Sequence, residues 1–193
     1  MNRLKKGFTI VEMLMVIAVL AVLVGIVTTA ATSAIRQSRD RRKDAMRQVL
    51  QNGIGVYYQQ RGEWPTSALE SYAKNGSERE LVLLTSDQSQ SVFRTIVEAS
   101  VKSGANPFVD VSGLFVAKAG FSKRTYGRSF KEATQTTAHA KKIPIAQMAF
   151  GYAEKESGAF RPYWVVYNTR ADSVEVITDS EKVDGVNSKK YKE

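Results

Sequence analysis

Cysteine is absent from this chain of 193 residues, and histidine occurs once, at His139. Without cysteine there can be no disulfide framework, no thiolate metal site and no cysteine nucleophile, so an exported domain would rely on its core alone. His139 sits among Thr-Thr-Ala-His-Ala-Lys-Lys and reads as a solvated loop residue. Histidine–carboxylate motifs, phosphate-cradling glycine loops and metal-ligand clusters are also missing, which points to a non-enzymatic chain without cofactor or metal. Charge is scarce in one place above all: from Phe8 to Ile35, 28 residues carry a single formal charge, Glu12. An ionised carboxylate at mid-membrane costs roughly 2.5–3.5 kcal/mol on insertion scales, so its position needs a reason.

A helix over that apolar run would reach roughly 42 Å, beyond a hydrocarbon core of about 30 Å. The run is too long for the apolar region of a secretory signal, which spans about 7–15 residues, and predicts a membrane helix over 8–35. Past Ile35 the pattern turns amphipathic. Met46, Val49, Leu50, Gly53, Ile54, Tyr57 and Tyr58 form one helical stripe. With no turn signal between, one continuous helix is expected from about 8 to about 60. Gly62-Glu63-Trp64-Pro65 ends it, since Pro65 cannot continue the hydrogen-bond ladder.

The remainder predicts one modest domain. A short helix follows Ser67, with Ser67-Ala-Leu-Glu70 as a capping box and Asn75-Gly76 as its stop. A second helix covers 88–103, with Val92, Phe93, Ile96, Val97, Ser100 and Val101 on one face, and Asn106-Pro107 closes it. Met148–Ala153, Tyr163–Thr169 and Ser173–Thr178 read as strands of an antiparallel meander. Residues 118–144 read as a long polar loop, and the tail from Lys182 as frayed.

The net charge of +9 is patchy. Residues 36–47 (RQSRDRRKDAMR) hold six basic and two acidic residues, whereas 48–193 hold 19 and 16. Lys118 to Lys142 holds seven basic residues against Glu132. Within it, Gly120 to Lys131 interleaves aromatic and basic side chains, a composition able to stack on and neutralise single-stranded nucleic acid. Lys123, Arg124 and Arg128 would carry such contacts; no nucleic-acid motif surrounds them, and a solvated loop is the favoured reading.

Lys5-Lys6-Gly7-Phe8-Thr9-Ile10-Val11-Glu12, with the apolar run behind it, closely resembles the class III signal of type IV pilins and of the pseudopilins of type II secretion systems. The family pattern is a short basic leader ending in glycine, then Phe-Thr-Leu-(Ile/Val)-Glu and a long apolar helix; only Ile10 departs, from leucine. Weaker similarity extends to about residue 69. There Tyr57-Tyr58, Gly62-Glu63-Trp64-Pro65-Thr66 and Leu69 look like the stretch after the long helix of major pseudopilins.

The resemblance implies a type IV pilin-like α+β fold, a long N-terminal helix packed on a small antiparallel sheet. It divides the chain into a cleaved leader (1–7), a membrane-spanning and filament-core helix (8–35) and an exported globular domain (36–193). A prepilin peptidase of the bacterial inner membrane would cut between Gly7 and Phe8, and the new Phe8 amine would be N-methylated. Glu12 would be the assembly carboxylate, pairing with the Phe8 amine of a neighbouring copy. Partners would be further subunits, the peptidase and methylase, an inner-membrane assembly platform and membrane lipid; nucleic acid is disfavoured. The physics agrees, since a buried carboxylate needs a cationic partner and cleavage creates one.

Three features depart from the family. Thr28-Thr29 stands where many pilins have a helix-loosening proline, the disulfide-bounded region of larger pilins is impossible, and Asp172, Asp179 and Asp184 lack a calcium-loop spacing. Charge counting also places three basic residues before the membrane run and six after it, which alone would hold the domain in the cytoplasm. The cleavage frame points to export to the periplasm or cell surface, and we follow it. The function expected is therefore a structural subunit of a type II secretion pseudopilus or type IV pilus-like filament. The alternative is a single-pass anchored binding protein, including a DNA-uptake pilin that uses the basic loop.

Overall fold

A computed structural model describes residues 9–75, 80–104, 107–120, 125–136, 141–154 and 157–178. Two compact units emerge, Met1–Arg41 and Arg42–Glu193, and helix α1 (Ile10–Arg61) runs through the boundary between them. The expected continuous helix is present, ending one residue before Gly62, which takes a positive φ of 72°.

Between Ile10 and Ile35 α1 is apolar all round apart from Glu12, and among the described residues none of that stretch is buried. Its large side chains between Ile10 and Ile35 are from 49 % (Val16) to 81 % (Ile10) exposed. Thr28, Thr29, Thr32 and Ser33 return their hydroxyls to carbonyls three or four residues back, those of Val24, Gly25, Thr29 and Ala30. A polar side chain in an apolar setting is satisfied this way without a partner outside the helix.

The second unit is α+β. Its remaining helices are α2 (Ser67–Asn75), α3 (Ser86–Ser103) and α4 (Phe130–Thr134). Its strands are β1 (Leu81–Leu83), β2 (Phe115–Lys118), β3 (Arg128–Ser129), β4 (Met148–Ala153), β5 (Phe160–Pro162), β6 (Trp164–Asn168) and β7 (Ser173–Ile177). They form two antiparallel sheets, ordered β1-β6-β7 and β3-β2-β4-β5. The single meander predicted from β4, β6 and β7 is therefore corrected. β6 and β7 pair as expected, with Val165 opposite Val176, but β4 lies in the other sheet between β2 and β5. Gly151 permits this, because a Cβ there would sit 1.9 Å from the Arg161 carbonyl oxygen of β5.

Helix α3 joins the sheets through buried polar side chains. Gln90 donates from Nε2 to the carbonyls of Phe150 and Tyr163, and its Oε1 accepts from the Phe150 amide. The Ser89 hydroxyl accepts from the Val165 amide. A capping box starts α3, in which Thr85 and Gln88 exchange side-chain-to-backbone hydrogen bonds. Val92, Phe93, Ile96, Val97 and Ser100 are buried as predicted, but Val101 is exposed. At 100° per residue Val101 stands at the edge of the stripe, opposite Val92.

On α1, Leu50, Gly53 and Ile54 are buried, with Met46, Val49, Tyr57 and Tyr58 packed beside them. A Cβ on Gly53 would fall 2.0 Å from Val109 Cγ2, so this close approach requires glycine. The start of α2 differs from expectation. Glu70 accepts from the Trp64 amide (2.9 Å), not from Ser67, and Thr66 Oγ1 accepts from the Leu69 amide (3.5 Å). The Gly76 stop lies outside the described residues.

Candidate functional site: the N-terminal end of the apolar helix

Thr9 and Glu12 form a capping box at the start of α1. Glu12 Oε2 accepts from the Thr9 amide (2.8 Å) and from the Thr9 hydroxyl (2.9 Å), and the Glu12 amide donates to Thr9 Oγ1 (3.3 Å). The reason is local: Thr-x-x-Glu lets a side chain at each end satisfy the orphan amide of the other, and the helix dipole favours a carboxylate in the first turn. The carboxylate is thus bonded within its own chain, and the charge that looked misplaced is part of the helix start. The spacing Thr9-Ile-Val-Glu12 before an apolar run is the sequence signal for this pairing, and a reading centred on Glu12 alone misses it.

The surface that follows is an exposed apolar cylinder. Among the described residues α1 is the one helix long and apolar enough to cross a bilayer, and none of its membrane-length apolar window is buried. Full burial of a Val, Leu, Ile or Met side chain is worth about 1.5–3 kcal/mol, so water is not a plausible surrounding. Lipid or other apolar helices are. Gly7 and Phe8, the residues of the expected cleavage and methylation, lie outside the described residues.

Of the basic segment 36–47, Arg36, Arg41 and Arg42 are exposed. Arg47 packs inward, donating to the Val176 carbonyl (3.2 Å) with Glu175 at 3.7 Å, and the Lys43 ammonium lies 5.7 Å from the centre of the Tyr152 ring.

The loop expected over 118–144 is in part ordered structure. It contains β3 and α4, the latter started by a Ser129–Glu132 capping box. Arg128 belongs to β3, opposite Val116, and its Nη1 is buried without a hydrogen-bond partner among the described residues. The residue as a whole is half-buried. Lys123, Arg124 and His139 lie outside the described residues. Asp172 accepts from the hydroxyls of Tyr167 (2.5 Å) and Tyr58 (3.4 Å); Asp179 and Asp184 lie outside the described residues.

These features define an α+β chain whose distinctive surface is one membrane-length apolar helix begun by a capped carboxylate. Residues 2–28 match the family model described as the prokaryotic N-terminal methylation motif, the prepilin-type leader of type IV pilins and pseudopilins. The motif supports a prepilin-like chain, a pilin or pseudopilin substrate of prepilin peptidase, and with the apolar helix it fits a single-pass inner-membrane anchor. No curated protein and no solved structure matches the chain.

Proposed function

We propose that this chain is a structural subunit that is cut between Gly7 and Phe8, methylated at Phe8 and polymerised through residues 8–35 into a type II secretion pseudopilus or type IV pilus-like filament. The observation that carries the reading is the prepilin-type motif placed on a fully exposed apolar helix. In the membrane, the helix is covered by lipid. In the filament, the same surface is covered by the helices of other copies.

Glu12 has a role in both settings. Before assembly, the Thr9 amide and hydroxyl stabilise its charge. During assembly, the Phe8 amine of a neighbouring copy supplies a full positive charge, which outweighs neutral donors in a water-poor bundle. One carboxylate per helix, near its end, then favours one axial register over others. Residues 36–193 are exported and form the filament's outer face.

Intact mass of the membrane-extracted protein tests processing: loss of residues 1–7 with gain of one methyl group is expected, and an uncut Met1 terminus refutes the proposal. For assembly, Glu12→Ala is expected to be cleaved normally yet to yield no filaments. Normal filaments from that variant would remove Glu12 from the mechanism.

A further inference from the structure

The second unit carries a groove of about 580 Å³ outside residues 8–35. One wall is the outer surface of α1, where Gln51, Asn52, Tyr58 and Gln59 line it; the other is the turn between β6 and β7, with Asp172 and Ser173. Such a volume is in the range of small-ligand sites.

The floor is Gly55. A glycine inside a helix costs about 1 kcal/mol relative to alanine, and the usual compensation is a neighbour too close for a Cβ. Gly53, two residues earlier, has that compensation in Val109. Gly55 does not: a Cβ there would meet nothing within 4 Å. Intramolecular packing gives no reason for it, so the space it keeps open faces outward, into the groove.

The lining is built. The Tyr58 ring stacks on Trp64 with centroids 4.1 Å apart and planes 15° apart, and Tyr167 meets Trp64 edge-on at 5.7 Å. Tyr58 is therefore a backed, rigid platform, and its hydroxyl is oriented by Asp172. Asp172 itself takes a positive φ of 45°, unusual for a residue other than glycine. Trp64 is 93 % buried and lines the groove, and its Nε1 has no hydrogen-bond partner among the described residues.

The chemistry of the lining selects the ligand class. Among the described residues no Lys or Arg lines the groove, so phosphates and nucleic acid meet no cation there. One carboxylate is too few for a divalent cation. What remains are the carboxamides of Asn52 and Gln59, that of Gln51 whose oxygen accepts from the Val176 amide, a carboxylate and the hydroxyls of Tyr58 and Ser173 around an aromatic platform. Planar groups of this kind exchange paired hydrogen bonds with neighbouring hydroxyl or amide groups, and an aromatic ring receives the apolar face of the same molecule. We propose that this groove binds an uncharged saccharide, with Tyr58 under a sugar ring, Asn52, Gln59 and Asp172 on its hydroxyl or acetamido groups, and Gly55 leaving the space it occupies.

The test uses the full chain in a detergent without a sugar headgroup, because alkyl glycosides would compete. Tri-N-acetylchitotriose and maltotriose are titrated by calorimetry and by saturation-transfer NMR. Saturable binding of at least one is expected, with the sugar ring protons receiving the strongest transfer. Gly55→Leu fills open space and should leave the thermal midpoint unchanged or raised while weakening binding at least about tenfold, and Tyr58→Ala should weaken it similarly. Absence of binding by both sugars overturns the proposal, as does binding that Gly55→Leu leaves intact. If Gly55→Leu binds no less sugar but fails to form filaments, the groove is a seat for a second copy and the saccharide reading is wrong.

Discussion

At the scale of single residues, two glycines in one helix should respond to the same substitution with opposite signs. Gly53→Ala drives a methyl into Val109 and the Phe108 carbonyl and is expected to destabilise the second unit by about 1–3 kcal/mol. Gly55→Ala meets open space and is expected to stabilise it by up to about 1 kcal/mol. Urea unfolding of the full chain in a mild detergent, followed by near-ultraviolet circular dichroism, distinguishes them; equal effects would show that the two sites are not packed as described. Gln90→Leu strands the Phe150 amide and the Tyr163 carbonyl in the core, while the Phe150 carbonyl keeps the Tyr163 amide, and should lose about 2–4 kcal/mol in the same measurement, since each buried unpaired group costs about 1–3 kcal/mol. Glu12 was legible as an anomaly from its apolar neighbours alone. Its pairing with Thr9 was also written in the chain, at the three-residue spacing of a capping box. Gln90 gave no such sign, because a glutamine within an amphipathic pattern looks like a surface residue until its partners, 60 and 73 positions away, are brought to it.

At the scale of elements, the helices were the more readable part. The stripe on α1 and that on α3 follow the 3.6-residue period, and each buries the face the period selects. The helix ends are held by local chemistry. Thr85→Ala removes half of the α3 capping box and should cost about 1 kcal/mol, seen as faster amide exchange in the first turn of α3 while that of α1 is unchanged. Strands were less readable. β1, β3 and β5 have two or three residues each, too few for alternation to show. β4 is buried along Met148–Gly151 and is a central strand, so its pattern could not say which sheet it belongs to.

At the scale of the whole molecule, acid should loosen the second unit. Hydrogen bonds from the Trp64 amide and then the Lys74 ammonium hold the Glu70 carboxyl below its ordinary value of 4.5. Ser157 and then Arg161 do the same for Glu154. A carboxylate with a lowered folded value binds protons more readily when unfolded, so its contribution is complete above about pH 4.5 and fades as pH falls through the lower folded value. The thermal midpoint is expected to be flat from pH 7 to about 5 and to drop below about 4.5. Glu70→Gln with Glu154→Gln should flatten that acid limb; an unchanged limb would show that other carboxylates dominate it.

Taken by itself, the sequence determined what depends on near neighbours along the chain. These are the basic leader and its glycine, the apolar run with one carboxylate, the continuous helix that stops before proline, and the absence of cysteine. Each is a matter of composition or of spacing within a turn or two, where the covalent chain already sets the geometry. Tertiary structure alone decided that the strands divide into two sheets, that Gln90 and Ser89 join them, that Arg128 pairs opposite Val116 in a strand, and that Gly55, Tyr58 and Asp172 share a groove. Those outcomes rest on groups up to 117 positions apart, Gly55 and Asp172 among them. Their proximity is created by burial of the whole core, and no local pattern encodes it.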